Sequence, residues 1–264
     1  MLITKDFVLL NFPKTGTTFA RKVIMQAYLD RLSLLQKARL KFGLAQPPFH
    51  DLRLHKLKPN GKLNKSRADQ HGKMRQIPQE FQDRQVVSIV RDPVDRYLSM
   101  YRFRRWVNFP AFSKPDVKKR FPHFPDLTFT EYLTCIQSFG TAALLPNAEL
   151  QGRFGYQTLM FIQFYFRDPQ RVIENLLAGD ESWMQELASI RFLKQSNLNE
   201  ELKTLLGGYG FTESELVFID DFRRLNSSSN TGSRERTIPT INEDTIAQIK
   251  KDEAFLYKAF PEFA

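Results

Sequence analysis

Cysteine is almost absent from this chain: Cys135 is the only one among 264 residues. A single cysteine excludes an intramolecular disulfide framework and a zinc site built on cysteines. The sequence also lacks an apolar run of the roughly 18 residues that a transmembrane helix needs. The short apolar stretch 7–12 has no small-residue cleavage site after it, so we predict no signal peptide. These absences predict a soluble protein, most simply a cytoplasmic one or a domain cut from something longer.

Acidic residues are also in short supply. The chain has 29 Asp and Glu against 39 Lys and Arg, which gives a formal net charge of +10. From Arg53 to Arg67 there are six cations and no acid. This excess favours an anionic partner, whether a nucleotide, an acidic glycan, a nucleic acid or a membrane surface. The hydrophobic fraction of 42%, with 24 phenylalanines, predicts a folded core rather than disorder.

Two segments show the pattern of a buried strand, a tight loop and a helix. The apolar run 7–12 is followed by a turn that contains Pro and Gly, and then by helical periodicity over 19–35. The apolar run 85–90 is followed by Arg91-Asp92-Pro93 and by a second helical pattern over 94–105. Such units predict an α/β fold with a P-loop-like central parallel sheet flanked by helices.

The rest of the sequence predicts a single domain, residues 1–264, with long loop insertions. Proline, glycine and basic residues indicate the insertions at 36–84, 107–127 and 226–239. A short strand is expected over 190–193, and the aromatic cluster 161–166 is expected to be core. Further helices are predicted from the capping box of Thr128 and Glu131, near 157–166, at 181–189, at 199–206 and over 242–260.

The loop between the first strand and helix has the composition of an anion site. It reads Pro13-Lys14-Thr15-Gly16-Thr17-Thr18. A helix N-terminus offers backbone N–H groups, glycine permits close approach, and lysine adds a cation. The nucleoside-triphosphate loop G-x-x-x-x-G-K-[ST] would place its lysine where this chain has Thr17. The loop therefore predicts binding of a phosphate-like anion without ATP or a metal ion.

A second candidate anion site begins at the end of the second strand. Arg91 follows that strand, at the edge of the sheet where ligands of parallel sheets bind. Ser99 lies about one and a half turns into the following helix. A guanidinium and a hydroxyl that converge on one phosphate would form a plausible pair. Arg96 and Tyr101 are expected to have structural roles.

Together, P-K-T-G-T-T and R-D-P-x-x-R-x-x-S-x-Y resemble the sulfotransferase superfamily, more closely its bacterial and glycan-type branches than its cytosolic phenol branch. Segments 192–202 and 252–257 resemble the family more loosely. The resemblance implies transfer of a sulfonate from 3′-phosphoadenosine 5′-phosphosulfate (PAPS) to a hydroxyl acceptor, with adenosine 3′,5′-bisphosphate as the product and no metal required. It implies that residues Lys14, Thr15, Gly16, Thr17 and Thr18 hold the 5′-phosphosulfate and that Arg91 and Ser99 hold the 3′-phosphate.

The resemblance also implies catalytic residues and partners. Lys14 would neutralise the leaving phosphate during in-line displacement. His71, twenty residues before Arg91, is the expected general base, and Glu80 is an alternative. Arg234 or Arg236 would assist at the 3′-phosphate. The acceptor is expected to be a small molecule or a glycan, with a saccharide as one candidate, and no nucleic-acid partner is expected.

Two other functions remain open at this point. A P-loop nucleotide or small-molecule kinase would use the same strand–loop–helix anion site, with Asp220 and Asp221 as weak candidates for its metal-binding acid. A non-enzymatic binder of nucleic acid or of a membrane surface would use the basic residues of 53–67 and 117–120. The second alternative explains the charge but leaves the two motifs without a role.

Overall fold

The computed structural model describes residues 1–57, 63–108, 114–222, 239 and 241–263. The predicted insertion 226–239, with Arg234 and Arg236, lies outside the described residues except for Pro239. The strands are β1 (Leu2–Thr4), β2 (Phe7–Leu9), β3 (Phe49–Asp51), β4 (Leu54–Leu57), β5 (Leu63–Asp69), β6 (Gln85–Val90) and β7 (Ile190–Lys194).

Helices make up most of the remaining structure. In chain order they are α1 (Thr17–Asp30), α2 (Leu34–Lys41), α3 (Pro93–Arg102), α4 (Arg105–Asn108), α5 (Lys114–Arg120), α6 (Phe129–Cys135), α7 (Thr141–Leu144), α8 (Tyr156–Tyr165), α9 (Pro169–Leu177), α10 (Trp183–Ala188), α11 (Leu198–Gly208), α12 (Glu213–Leu216), α13 (Phe218–Asp221), α14 (Glu243–Asp252) and α15 (Ala254–Ala259). No helix in the described part of the chain is both long and apolar enough to cross a membrane.

The chain divides into two compact units. The first contains residues 1–91 and 164–227, and the second contains residues 92–163 and 228–264. Each unit has its own core. The first packs α1 and α11 with the sheet residues, among them Phe7, Leu9 and Val87, while the second packs aromatic residues such as Tyr97 and Tyr132.

The sheet of the first unit has five described strands in the order β3–β1–β2–β6–β7. β2 pairs with β6 and β6 pairs with β7 in parallel, whereas β1 pairs antiparallel with both β2 and β3. The predicted α/β fold is confirmed, and its parallel part is β2, β6 and β7. The antiparallel strands make the sheet mixed, which periodicity could not reveal because pairing partners are set by contacts distant in sequence.

The prediction of a loop insertion over 36–84 was wrong in its local structure. This segment contains most of α2, the strand β3 and the antiparallel hairpin of β4 and β5. Its β3 main chain pairs with Leu2–Thr4, with Leu2 opposite Asp51, and Phe49 is buried. Long-range main-chain hydrogen bonds therefore order a segment whose prolines and charges indicated a loop. Likewise, the insertion predicted over 107–127 contains the helix α5.

The last predicted helix, 242–260, is two helices that meet at Glu253. This residue is fully buried, and its carboxylate accepts hydrogen bonds from the backbone N–H groups of Gln157 (3.0 Å) and Thr158 (2.7 Å). The hydroxyls of Thr158 (2.8 Å) and Tyr97 donate to the same carboxylate. Glu253 thus caps the N-terminus of α8 from a distant part of the chain, and negative charge is favoured at that end of a helix. Burial raises the pKa of Glu253, and these hydrogen bonds oppose that shift.

Candidate functional site

The loop after β2 turns sharply at two residues. Lys14 has φ 68° and Gly16 has φ 91°, both in the left-handed region. The hydroxyls of Thr15 and Thr17 donate to the carbonyl of Phe12, at 2.9 and 3.3 Å, and both side chains are buried. The hydroxyl groups of these two threonines therefore stabilise the loop through hydrogen bonds within it. A ligand could be bound by their backbone N–H groups.

Gly16 stands immediately before α1, where the first N–H groups of a helix have no partner within the helix. A Cβ atom at this position would lie 3.1 Å from Leu198 Cδ2 and 3.4 Å from Gln195 Cγ. Leu198, at the start of α11, and Gln195, just before it, therefore pack closely against the loop, and a side chain at this position would require a shift of a few tenths of an ångström. A turn of consecutive N–H groups ahead of a helix N-terminus is a concave anion-binding site. Lys14 and Thr18, both half-buried, border this turn.

The three parallel strands bring three loops to one edge of the sheet. Leu9 lies opposite Val87, Val87 opposite Arg191, and Val90 opposite Lys194. The carboxyl ends of parallel strands are the usual ligand-binding edge of such sheets. The loop of Lys14, the residue Arg91 and the segment that begins at Gln195 therefore follow neighbouring strands at the same edge. Segment 192–202 resembles the family only loosely in sequence, but in the structure its residues Gln195 and Leu198 pack at Gly16.

Most of the second motif supports α3. Asp92 caps the helix by accepting from the N–H of Asp95 (3.0 Å), and Pro93 occupies the first helical position. The buried Arg96 donates to the Oε1 atom of Gln157 (2.9 Å), and the hydroxyl of Tyr101 donates to the Leu127 carbonyl (2.9 Å). The predicted structural roles of Arg96 and Tyr101 are confirmed.

Arg91 and Ser99 are the two residues of this motif that were expected to bind ligand. Arg91 directly follows β6 and is half-buried. It is the last residue of the range 1–91, which belongs to the first unit. Ser99 lies on α3 in the second unit and is also half-buried. That both bind one phosphate stays a prediction.

His71 lies beside the loop that follows β2. Its Nδ1 atom is 2.5 Å from the carbonyl oxygen of Asn11, the residue two positions before Pro13. A carbonyl only accepts, so in the neutral ring Nδ1 carries the proton and Nε2 carries the basic lone pair. The N–H of His71 donates to Asp69 Oδ1 (2.9 Å), which fixes the backbone at the ring. Glu80, the alternative base, is exposed on a 3₁₀ turn.

A partly buried network of hydrogen bonds holds the segment that carries His71. The side chain of Arg21, on α1, donates to the Oε1 atom of Gln70 and to Asp51 Oδ1, and Asn11 Nδ2 donates to the Gln70 carbonyl (3.1 Å). Burial lowers the pKa of Arg21, and the Asp51 carboxylate opposes that shift. The sequence motifs did not indicate a role at the site for Asn11, Arg21 or Gln70. Arg21 did carry a signal, because a cation at a core-facing position of α1 needs a buried partner.

The acids considered for a kinase do not follow a strand. Asp220 and Asp221 lie on the short helix α13, and Asp220 forms an ion pair of 2.7 Å with Lys203. These weak candidates therefore do not stand at a strand end, because residues 218–221 are helical. Among the described residues, no group of three or more His, Cys, Asp and Glu side chains could hold a metal ion.

The comparisons with known proteins identify a family. The sequence profile of the sulfotransferase domain matches residues 4–174, which include the Lys14 loop, His71, Arg91 and Ser99. No curated protein and no solved structure matches the chain. The family profile covers well over half of the sequence and both motifs. This chain therefore belongs to the sulfotransferase domain family, whose members transfer sulfonate groups.

Proposed function

We propose that this protein transfers a sulfonate from PAPS to a hydroxyl acceptor, with His71 as the general base. The observation that carries the proposal is the contact of His71 Nδ1 with the Asn11 carbonyl, because it joins a base to the loop that is suited to the donor. The family assignment favours this reaction over phosphate transfer by a kinase.

The loop of residues 14–18 would bind the 5′-phosphosulfate. Gly16, immediately before α1, has a backbone conformation that glycine adopts more easily than other residues do. The first N–H groups of α1 are suited to binding anionic oxygens. Lys14 supplies the positive charge for the phosphate oxygen that gains charge as the sulfonate leaves. Arg91 and Ser99 would bind the 3′-phosphate, with Arg91 as the charged member of the pair.

His71 would accept the proton of the acceptor hydroxyl at Nε2. As that proton leaves, the acceptor oxygen forms a bond to sulfur and the bond from sulfur to the phosphate oxygen breaks, which releases adenosine 3′,5′-bisphosphate. The hydrogen bond from Nδ1–H to the Asn11 carbonyl stabilises the imidazolium that results. The ring therefore needs its present orientation to serve as a base.

We propose a small molecule or a glycan as the acceptor. The positive charge of residues 53–67 supports an acidic acceptor such as an anionic saccharide. In this segment the main chain forms a two-stranded hairpin on either side of residues 58–62, which lie outside the described part.

Substitution separates the binding and chemical roles. His71→Asn should retain the affinity for adenosine 3′,5′-bisphosphate and reduce transfer of labelled sulfonate at least about a hundredfold, the usual contribution of a general base. Arg91→Ala should weaken bisphosphate binding about tenfold or more, because a charge-assisted pair is lost. His50→Ala, which removes an exposed histidine on β3, is the matched control and should change neither quantity. Full transfer by His71→Asn would refute the assignment of the base.

A further inference from the structure

The helix α2 and the turn after it expose an unusual amount of apolar surface. Leu34, Leu35, Phe42 and Leu44 are between 69% and 86% exposed, and α2 has no buried residue. Scattered apolar side chains are normal on a protein surface, but large ones grouped within eleven residues indicate a binding face.

This helix is ordered by caps at both ends. Ser33 and Gln36 form a capping box at its start. At its end, the N–H of Gly43 donates to the Leu40 carbonyl (3.0 Å) and the N–H of Leu44 donates to the Arg39 carbonyl (2.8 Å). These two bonds form a Schellman motif, with Gly43 at φ 70°. The exposed apolar side chains therefore belong to a helix, α2, whose two ends are both capped by neighbouring residues.

The exposed apolar residues share one face of the helix. Positions 34, 38 and 42 follow one another at four-residue steps, and Leu35 is about 100° from Leu34 around the axis. Leu40, on the opposite side, is half-buried. The helix therefore lies on the protein through Leu40 and directs the face of Leu34, Leu35 and Phe42 outward.

Basic residues flank this face. Lys41 and Lys37 border it on one side and Arg39 on the other, and all three are exposed. The sequence from Arg31 to His50 contains no acid. Asp30, which precedes this stretch, lies 3.8 Å from Lys37 and offsets part of its charge, whereas Arg39 and Lys41 form no described ion pair. An excess of lysine and arginine beside an apolar face is characteristic of helices that lie in the interface of an anionic bilayer.

The same charges argue against a second copy of the chain as the occupant. In a twofold dimer the same patch meets itself, so Lys37, Arg39 and Lys41 would face the same cations of the other protomer. We propose that the face of Leu34, Leu35 and Phe42, with its flanking cations and the exposed Leu44 of the turn that follows, docks the protein on an anionic lipid surface. This docking is peripheral and does not depend on the proposed reaction.

Vesicle co-sedimentation tests the proposal with the full chain. The protein should bind phosphatidylcholine vesicles that contain about 30% phosphatidylserine at least about tenfold more tightly than vesicles of phosphatidylcholine alone, and added salt should weaken the binding. Leu35→Ser with Phe42→Ser should weaken it about tenfold for each side chain removed. Arg39→Gln with Lys41→Gln should weaken it about fivefold for each charge.

Matched variants control for changes made elsewhere. Val217→Ser removes an exposed apolar side chain, and Lys118→Gln with Lys119→Gln removes two exposed cations, so both should bind vesicles as the unaltered protein does. Melting temperatures should stay unchanged in all variants because the altered side chains are exposed. Equal binding to the two kinds of vesicle, or unchanged binding by the α2 variants, would overturn the proposal. A dimer of the free protein that Phe42→Ser dissociates would overturn it in favour of a second copy.

Discussion

Replacing Gly16 with alanine should damage both the stability of the protein and its donor loop. An alanine at φ 91° is in a region that L-residues avoid, which costs about 1–2 kcal/mol. Its Cβ would also lie 3.1 Å from Leu198 Cδ2, so α11 or the loop must move by a few tenths of an ångström. We expect Gly16→Ala to lower the free energy of unfolding by about 1–3 kcal/mol.

Donor binding should suffer as well. Movement of the loop reorients the N–H groups at the start of α1, and the loss of one hydrogen bond to a charged oxygen costs about 1.5–3 kcal/mol. The affinity for adenosine 3′,5′-bisphosphate should therefore fall about tenfold to a hundredfold. Denaturant unfolding measures the first effect and calorimetric titration the second.

Gly179→Ala is the matched control for backbone strain. Gly179 has φ 76°, and nothing lies within 4 Å of the position that its Cβ would take. This substitution should cost about 1 kcal/mol of stability and leave bisphosphate binding intact. If Gly16→Ala bound the bisphosphate as tightly as Gly179→Ala does, the assignment of this loop to the donor would be refuted.

Three further substitutions test the account. Glu253→Gln should lower the free energy of unfolding by about 2–4 kcal/mol, because an amide NH₂ would face the N–H groups at the start of α8. The exposed Glu149→Gln is the control and should change this free energy by less than about 0.5 kcal/mol in denaturant unfolding. Burial raises the pKa of Glu253, so the folded state holds this proton more firmly than the unfolded chain does. The contribution of Glu253 to the free energy of unfolding therefore falls as pH rises from 4.5 through the folded-state pKa. Glu253→Gln should remove this dependence of stability on pH. Lys14→Gly should keep the backbone at φ 68° and the melting temperature, yet lower kcat about a hundredfold in a transfer assay. Arg21→Lys should lower kcat about tenfold with unchanged bisphosphate affinity, because an ammonium cannot reproduce the fork that holds Gln70 and Asp51.

The sequence predicted the elements whose signals are local. The two strand–loop–helix units, the capping box of Thr128 and the short strand at Ile190 were all expected, and each was confirmed. The aromatic cluster 161–166 was expected to be core, and its phenylalanines are buried. These features depend on periodicity and on turn chemistry within a few residues, which a single sequence displays.

The features that were missed depend on contacts between distant parts of the chain. β3 forms a strand by pairing with Leu2–Thr4. The last helix is interrupted at Glu253, whose carboxylate accepts hydrogen bonds at the N-terminus of α8. The orientation of the His71 ring also depends on a distant contact. The residue type and sequence position of His71 predicted a base, but its ring is oriented by the backbone carbonyl of Asn11. Every residue has such a carbonyl, so no side-chain pattern could have indicated this contact.

The division of the second motif was predicted only in part. Arg96 and Tyr101 were expected to be structural, and both are hydrogen-bonded within the second unit. Tyr97 was not singled out, although its hydroxyl donates to the buried Glu253. Most of the motif therefore builds α3, so a match to the whole pattern is weaker evidence for ligand binding than Arg91 and Ser99 themselves.

Calorimetric titration of the protein with adenosine 3′,5′-bisphosphate in the presence of EDTA tests whether the protein binds a sulfotransferase donor product, and it needs no knowledge of the acceptor. We expect binding at one site per chain without metal and a weaker affinity in Arg91→Ala. A separate titration with Mg·ATP, without EDTA, should show no binding. Binding of Mg·ATP together with a failure to bind the bisphosphate would contradict it.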